Sequence, residues 1–251
     1  MIPLGRVVAL GASNLTRGFS RLVCTARACG GAEVEVFAAL GLGRSYGMDS
    51  RVLARTLPGI LDSAIWTALA DRPPRPTRAL VTDVGNDILY GVSPEQILDW
   101  VEEALQRMTV HTDDIVVAGL PLHSIRTLSA AKFLAFRTIV FPGCRVPFTR
   151  AVGDAERVDA GLAQLARGYR ARFVPLQSDW YGFDPIHIRP ARWSSAWQEI
   201  FGGEAAVARP GTVETLRLLA LAPERQRLFG IERVRPQRGV RLAAGGSVFL
   251  Y

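Results

Sequence analysis

The sequence predicts a three-layer α/β/α sandwich around a five-stranded, mostly parallel sheet. Three observations carry that prediction. Apolar runs of strand length recur five times between residues 6 and 176. Segments with helical periodicity separate them, and strands that alternate with helices form a parallel sheet covered on both faces. The composition is that of a globular protein: 251 residues, 49% hydrophobic and 21% charged. A chain of this size buries a sizeable core without a disulfide or metal staple.

The elements follow in chain order. Arg6 to Leu10 is a short apolar run ending at Gly11, a buried strand. From Asn14 to Cys29, Leu15, Phe19, Leu22, Val23 and Ala26 keep helical spacing until Gly30-Gly31 stops the helix. Glu33 to Leu40 is a second strand, running into a glycine-rich loop, Gly41 to Gly47. A helix is expected near Leu61–Ala70, then a proline-rich loop from Arg72 to Pro76 and a third strand from Ala79 to Val84. Pro94 to Met108 is helical, with Ser93 as N-cap and Ile97, Val101, Ala104, Leu105 and Met108 on one stripe. Asp114 to Leu120 is the fourth strand, Asp154 to Tyr169 a helix, and Arg172 to Leu176 the fifth strand. Beyond it, Thr212 to Leu221 is helical, and Gly239 to Tyr251 forms two short strands around Ala244-Gly245-Gly246-Ser247, a hairpin signal. The expected division is an α/β domain over residues 1–211 and a small helix-and-hairpin appendage over 212–251. The appendage is too small to stand alone and should dock on the domain or on a second copy, giving a homo-oligomer through the tail.

Composition excludes several classes. No run reaches the ~18 apolar residues of a membrane span. Arg6 interrupts the first apolar stretch and a motif begins at Gly11, leaving no room for a secretory leader, so the chain as given is expected in the cytoplasm. The net charge is +7, but Lys132 is the only lysine among 30 basic residues, and the arginines are scattered. A surface that tracks nucleic-acid phosphates would cluster them, so no nucleic-acid partner is expected. Cys24, Cys29 and Cys144 form neither an even set nor a CxxC pair, which argues against a disulfide framework and a zinc site. No metal or organic cofactor is implied.

In an open parallel sheet, ligands bind outside the carboxyl ends of the strands. Those ends carry Ser13-Asn14, Gly41 to Gly47, Gly85-Asn86-Asp87, Pro121-Leu122-His123, and the segment with Asp184-Pro185-Ile186-His187. They hold the groups acyl transfer needs. A serine hydroxyl attacks only when a base takes its proton. Ser13 sits at a strand-to-helix turn, where negative charge is favoured. His187 can be that base, with Asp184 three residues earlier to hold the imidazole tautomer. A tetrahedral oxyanion needs preorganised donors. Ser13 N–H, Gly43 N–H and the Asn86 side-chain amide can supply them.

The set Gly11-Ala12-Ser13-Asn14-Leu15, Gly43, Gly85-Asn86-Asp87 and Asp184-Pro185-Ile186-His187 resembles the four blocks of the SGNH, or GDSL-type, hydrolases over roughly residues 4 to 200. The resemblance implies the flavodoxin-like SGNH hydrolase fold and serine-dependent cleavage of a small-molecule ester or thioester. It places the nucleophile on Ser13, the acid and base on Asp184 and His187, and the oxyanion hole on Ser13, Gly43 and Asn86. Two positions depart from the pattern. Ala12 stands where block one has aspartate, and Val84 where block three has its first glycine. Gly41 competes with Gly43 for the block-two role, and Arg44-Ser45 after Gly43 favours the latter.

Each residue has a plainer reading. Ser13 or Asn14 could simply cap a helix, and Asp87 could fix its own loop. His111 suits a helix end, and His123 could face the cleft. The spacing Gly41-x-Gly43-x-x-x-Gly47 resembles a nucleotide loop, but no helix opens directly on it. No Gly-x-Ser-x-Gly surrounds any serine, so the α/β-hydrolase elbow is absent. The serious rival is a non-catalytic or acyltransferase descendant of the same fold.

Overall fold

The computed structural model describes residues 4–202, 210–242 and 245–251. The first strand, β1 (Arg6–Leu10), lies between β2 (Glu35–Ala39) and β5 (Thr77–Val81), parallel to both. β6 (Asp114–Ala118) and β7 (Arg172–Val174) extend the sheet beyond β5, also in parallel. These are the five expected strands, kept or trimmed at their ends except the third, expected from Ala79 to Val84, which is shifted back to Thr77–Val81. Alternation along them explains why the sheet is covered twice. Val8 and Leu10 of β1, with Ala79 and Val81 of β5, enter one apolar cluster. Val7, Ala9 and Leu80 enter the other. A period of two with apolar residues on both phases demands helices on both faces.

One face carries α3 (Ile65–Ala70), α5 (Pro94–Thr109) and α8 (Phe148–Gly168). Ser93 caps α5 as expected, its hydroxyl accepting from Gln96 N–H at 3.3 Å. The opposite face carries α1 (Ser13–Arg17), α2 (Phe19–Gly30), α9 (Trp193–Phe201) and α10 (Thr212–Ala220). The expected helix from Asn14 to Cys29 is therefore two helices. Gly18 breaks it: a Cβ there would lie 2.5 Å from the Trp193 ring, and Trp197 Nε1 donates to the Gly18 carbonyl at 3.1 Å. Three further helices were not marked in the sequence: α4 (Asn86–Leu89), α6 (Leu122–Arg126) and α7 (Ala130–Val140).

Among the described residues the sheet has seven strands, not five. The extra two come from the tail. In β10 (Val240–Arg241) and β11 (Ser247–Leu250), the predicted hairpin joins the main sheet, with β11 parallel to β2. Residues 243 and 244 of the hairpin turn lie outside the described residues. Phe37 on β2 stacks on Tyr251 with ring centroids 5.9 Å apart, which draws the end of the tail onto the core. The rest of the tail is also more than an appendage. β8 (Arg225–Leu228) and β9 (Ile231–Val234) form a hairpin around Phe229-Gly230, both at positive φ. This hairpin pairs with β3 (Ser50–Val52) and β4 (Arg55–Leu57) in a second, four-stranded antiparallel sheet. Among the described residues, no helix is long and apolar enough to cross a membrane.

Candidate active site

From β1 the chain crosses to β2 on one side, and later to β5 on the other. This reversal opens a crevice at the carboxyl ends of β1 and β5, where doubly wound folds bind ligands. Ser13 follows β1 and Asn86 follows β5 there, and both line the same cavity, of about 100 Å³. Both are buried.

The Ser13 turn is organised by a residue the sequence reading did not mark. Asp83, two residues past the end of β5, accepts from Ala12 N–H at 3.0 Å and from Leu15 N–H at 2.9 Å. Its second oxygen accepts from Asn14 Nδ2 at 2.9 Å. With Ala12 in place of the block-one aspartate, the carboxylate that ties the turn arrives from the neighbouring strand. Asp83 does this at φ 58°, a left-handed conformation that Asp and Asn tolerate better than other side chains. The one available signal was an acidic residue after an apolar strand and three residues before Asn86. Asp83→Ala leaves three donors without their acceptor and puts a less tolerant residue at positive φ. It is expected to cost about 2–4 kcal/mol in urea unfolding. An unchanged midpoint would remove Asp83 from this role.

Asn14 holds the histidine segment beside the serine. Its Nδ2 donates to the Ile186 carbonyl at 2.8 Å, and its Oδ1 accepts from Ile188 N–H at 2.9 Å. The two residues flanking His187 are thus gripped by the neighbour of Ser13. Asn14 is therefore a clasp rather than the helix cap that the plainer reading allowed, and no side chain caps α1.

His187 and Asp184 meet as the spacing predicts. The ring Nδ1 lies 2.6 Å from Asp184 Oδ2, and Asp184 Oδ1 accepts from the Ile186 and His187 N–H groups at 3.2 Å each. Arg17 Nη1 lies 3.7 Å from the same carboxylate. Burial pushes the Asp184 carboxyl up, but the bonds from the His187 ring and the two N–H groups outweigh it and hold it below the usual carboxylate range. An ionised carboxylate on Nδ1 keeps the ring proton there and leaves Nε2 as the basic nitrogen.

On the other side of the crevice, Asn86 opens α4, and its Nδ2 is buried without a hydrogen-bond partner. A buried amide donor left unpaired costs free energy that a structural role would recover by pairing it. Asp87 is wholly buried and accepts from Tyr46 N–H at 3.0 Å. Burial pushes its carboxyl up to about 6, against hydrogen bonds from Ser45 and Tyr46. The Asp87 side chain thus ties the glycine-rich loop rather than its own. Tyr90 adds a second tie, its hydroxyl donating to the Gly43 carbonyl at 2.6 Å.

Gly43 has φ 61°, and a Cβ on it would sit 2.8 Å from Val52. A Cβ on Gly41 would sit 2.2 Å from the end of the Leu57 side chain, so a larger residue there needs Leu57 to shift, whereas at Gly43 the backbone itself favours glycine. Neither lines the cavity that Ser13 and Asn86 share. Arg44, buried after Gly43, bonds the carbonyls of Leu40 (3.2 Å), Pro58 (3.0 Å) and Tyr251, fastening the loop to the tail strand. His123 is exposed on α6 and lines a separate polar groove with Ser124, Thr127 and Lys132. His111 follows α5, away from both. Among the described residues, no group of three or more His, Cys, Asp or Glu could hold a metal ion.

No protein-family model matches the chain, and no curated protein matches it in sequence. Solved structures do match its fold. Est24, a carbohydrate acetylesterase from Sinorhizobium meliloti, is 16% identical over 78% of this chain and 97% of its own, with a TM-score of 0.53. The native aryl esterase of M. smegmatis is 13% identical over 78% and 95%, with a TM-score of 0.50. The psychrotrophic esterase EstA from Pseudoalteromonas sp. is 11% identical over 79% and 96%, with a TM-score of 0.50. At such identities the likeness is one of architecture, and the architecture is the SGNH hydrolase fold.

Proposed function

We propose that this chain is a serine-dependent carboxylic ester hydrolase that works through an acyl-enzyme. The observation that supports the reading is the clasp at Asn14, which ties the backbone on either side of the Asp184-paired His187 to the residue next to the buried Ser13. The described esterases of the same fold support it.

In this reading His187 Nε2 takes the Ser13 hydroxyl proton as Oγ attacks the acyl carbonyl carbon. Asp184 stabilises the imidazolium that forms. The negative charge on the carbonyl oxygen is met by Asn86 Nδ2 and the Ser13 N–H, which share the cavity, and Gly43, which lies outside that lining, is the expected third donor. The carbon–oxygen bond to the alcohol breaks, and His187 returns its proton to the departing oxygen. Water then attacks the Ser13 ester by the same route in reverse, releasing the acid. Every proton moves among Ser13, substrate, water and His187, so the cycle needs no further reactant.

Asn86 Nδ2 supports a working site because it is a buried donor without a protein partner on the lining it shares with Ser13, where a substrate oxygen can accept from it. Rapid mixing with an excess of p-nitrophenyl ester tests the acyl-enzyme. If deacylation is the slower step, one equivalent of p-nitrophenol per enzyme should appear in a burst. If acylation is slower, hydroxylamine trapping should still capture the acyl group from Ser13. Turnover with neither a burst nor a trapped acyl group would count against the covalent intermediate.

A further inference from the structure

We propose that the substrate's acyl part is an apolar chain longer than acetyl, seated in the cavity beside Ser13, with α7 and α8 setting the length accepted. The inference rests on the hydrolase reading above and adds the substrate class.

The polarity of the cavity is segregated. Its polar side chains, Ser13, Asn14, Asp83 and Asn86, all stand at the ends of β1 and β5. Asn14 and Asp83 are consumed by bonds to each other and to the backbone. That leaves the Ser13 hydroxyl and the Asn86 amide to address a ligand, and these suit one carbonyl. The remaining wall is made of apolar side chains, among them Leu120, Ile125, Phe133, Phe136, Ala151 and Ala155. An acyl group bearing hydroxyls would lose its water there and find no partner, which costs selectivity heavily. An acetyl group would leave most of that wall uncovered. A hydrocarbon chain is the occupant that matches it.

Two elements control the length. Phe133 and Phe136 come from α7, and Ala151 and Ala155 come from α8, where a spacing of four puts them on one face. The two phenyl rings bring bulk into the wall from one side, and the alanines leave room on the other. Outside the cavity the lining changes character. The groove with His123, Ser124, Thr127 and Lys132 shares Leu128 and Pro185 with the apolar cavity. A polar leaving group therefore has a place beyond the mouth, which fits the acyl chain inward and the alcohol outward.

The test is a p-nitrophenyl ester series from acetate to decanoate. Active sites are counted by titration with a small fluorophosphonate, so that misfolded protein does not enter the rates. kcat/KM is expected to climb roughly fourfold per added methylene until the cavity is full, and then to fall. Ala155→Leu should move the maximum to shorter chains. Phe136→Ala, at a half-buried position that tolerates truncation, should move it to longer ones. A flat series, or a maximum at acetate, in enzyme that titrates with the phosphonate overturns the acyl-chain inference and leaves the hydrolase reading standing. Protein inert to every ester and to the phosphonate overturns both.

Discussion

Ser13→Ala is expected to lower ester turnover by roughly 10⁴- to 10⁶-fold, because it removes the atom that forms the covalent bond. The fold should survive. Ser13 makes no capping bond, Ala12 at the N-cap of α1 makes none, and the turn is held by Asp83 and Asn14 instead. Removing one oxygen from such a position should change stability by no more than about 0.5–1 kcal/mol. Steady-state rates beside a thermal melt check both halves. An active Ser13→Ala enzyme would mean another nucleophile.

Asn86→Ala is expected to lower kcat by about 10²- to 10³-fold with a smaller change in KM, because the amide acts on charge that develops only in the transition state. Its stability carries the sharper message. Asn86 Nδ2 is buried with no partner in the free protein, so deleting it removes a desolvation cost rather than a bond. The variant should melt at the same temperature as the parent or above it. An asparagine that served the fold would give the opposite pair of results, normal turnover and a lowered melting temperature.

The parallel core was legible because its strands are apolar on both phases. Val7 to Leu10 and Val36 to Ala39 carry no alternation to confuse with a half-exposed strand, and intervening helices dictate the crossovers. The dyad was legible because three residues within one loop suffice to bring Asp184 to the His187 ring. What escaped the sequence depends on distant partners. Gly18 breaks a helix only because Trp193 and Trp197, some 175 residues later, press on it. Strands of three and four residues, such as Arg55–Leu57 and Arg225–Leu228, have no period to read and exist because they pair with each other. The turn between Arg225–Leu228 and Ile231–Val234 falls on Phe229-Gly230, which is not among the strong hairpin pairs. Likewise Asp83 looks like any loop carboxylate until the end of β5 lies beside the Ser13 turn.

The tail illustrates the same limit. Its hairpin signal was clear, yet nothing local told that Ser247 to Leu250 would lie parallel to Glu35–Ala38. The side chains that decide it are far apart in sequence. Phe37 takes the Phe249 ring at 4.8 Å, and Arg44 grips the Tyr251 carbonyl. The glycine-rich loop of the candidate site is thereby fastened to the last strand of the sheet.

The central claim is that Ser13 is a nucleophile activated by His187. Reaction with a fluorophosphonate, followed by intact mass and peptide mapping, tests it most directly. One adduct per chain on the peptide containing Ser13 is the predicted result, with labelling lost in Ser13→Ala and slowed at least a hundredfold in His187→Ala. Labelling at a different serine, or at Ser13 with undiminished rate in His187→Ala, would contradict it.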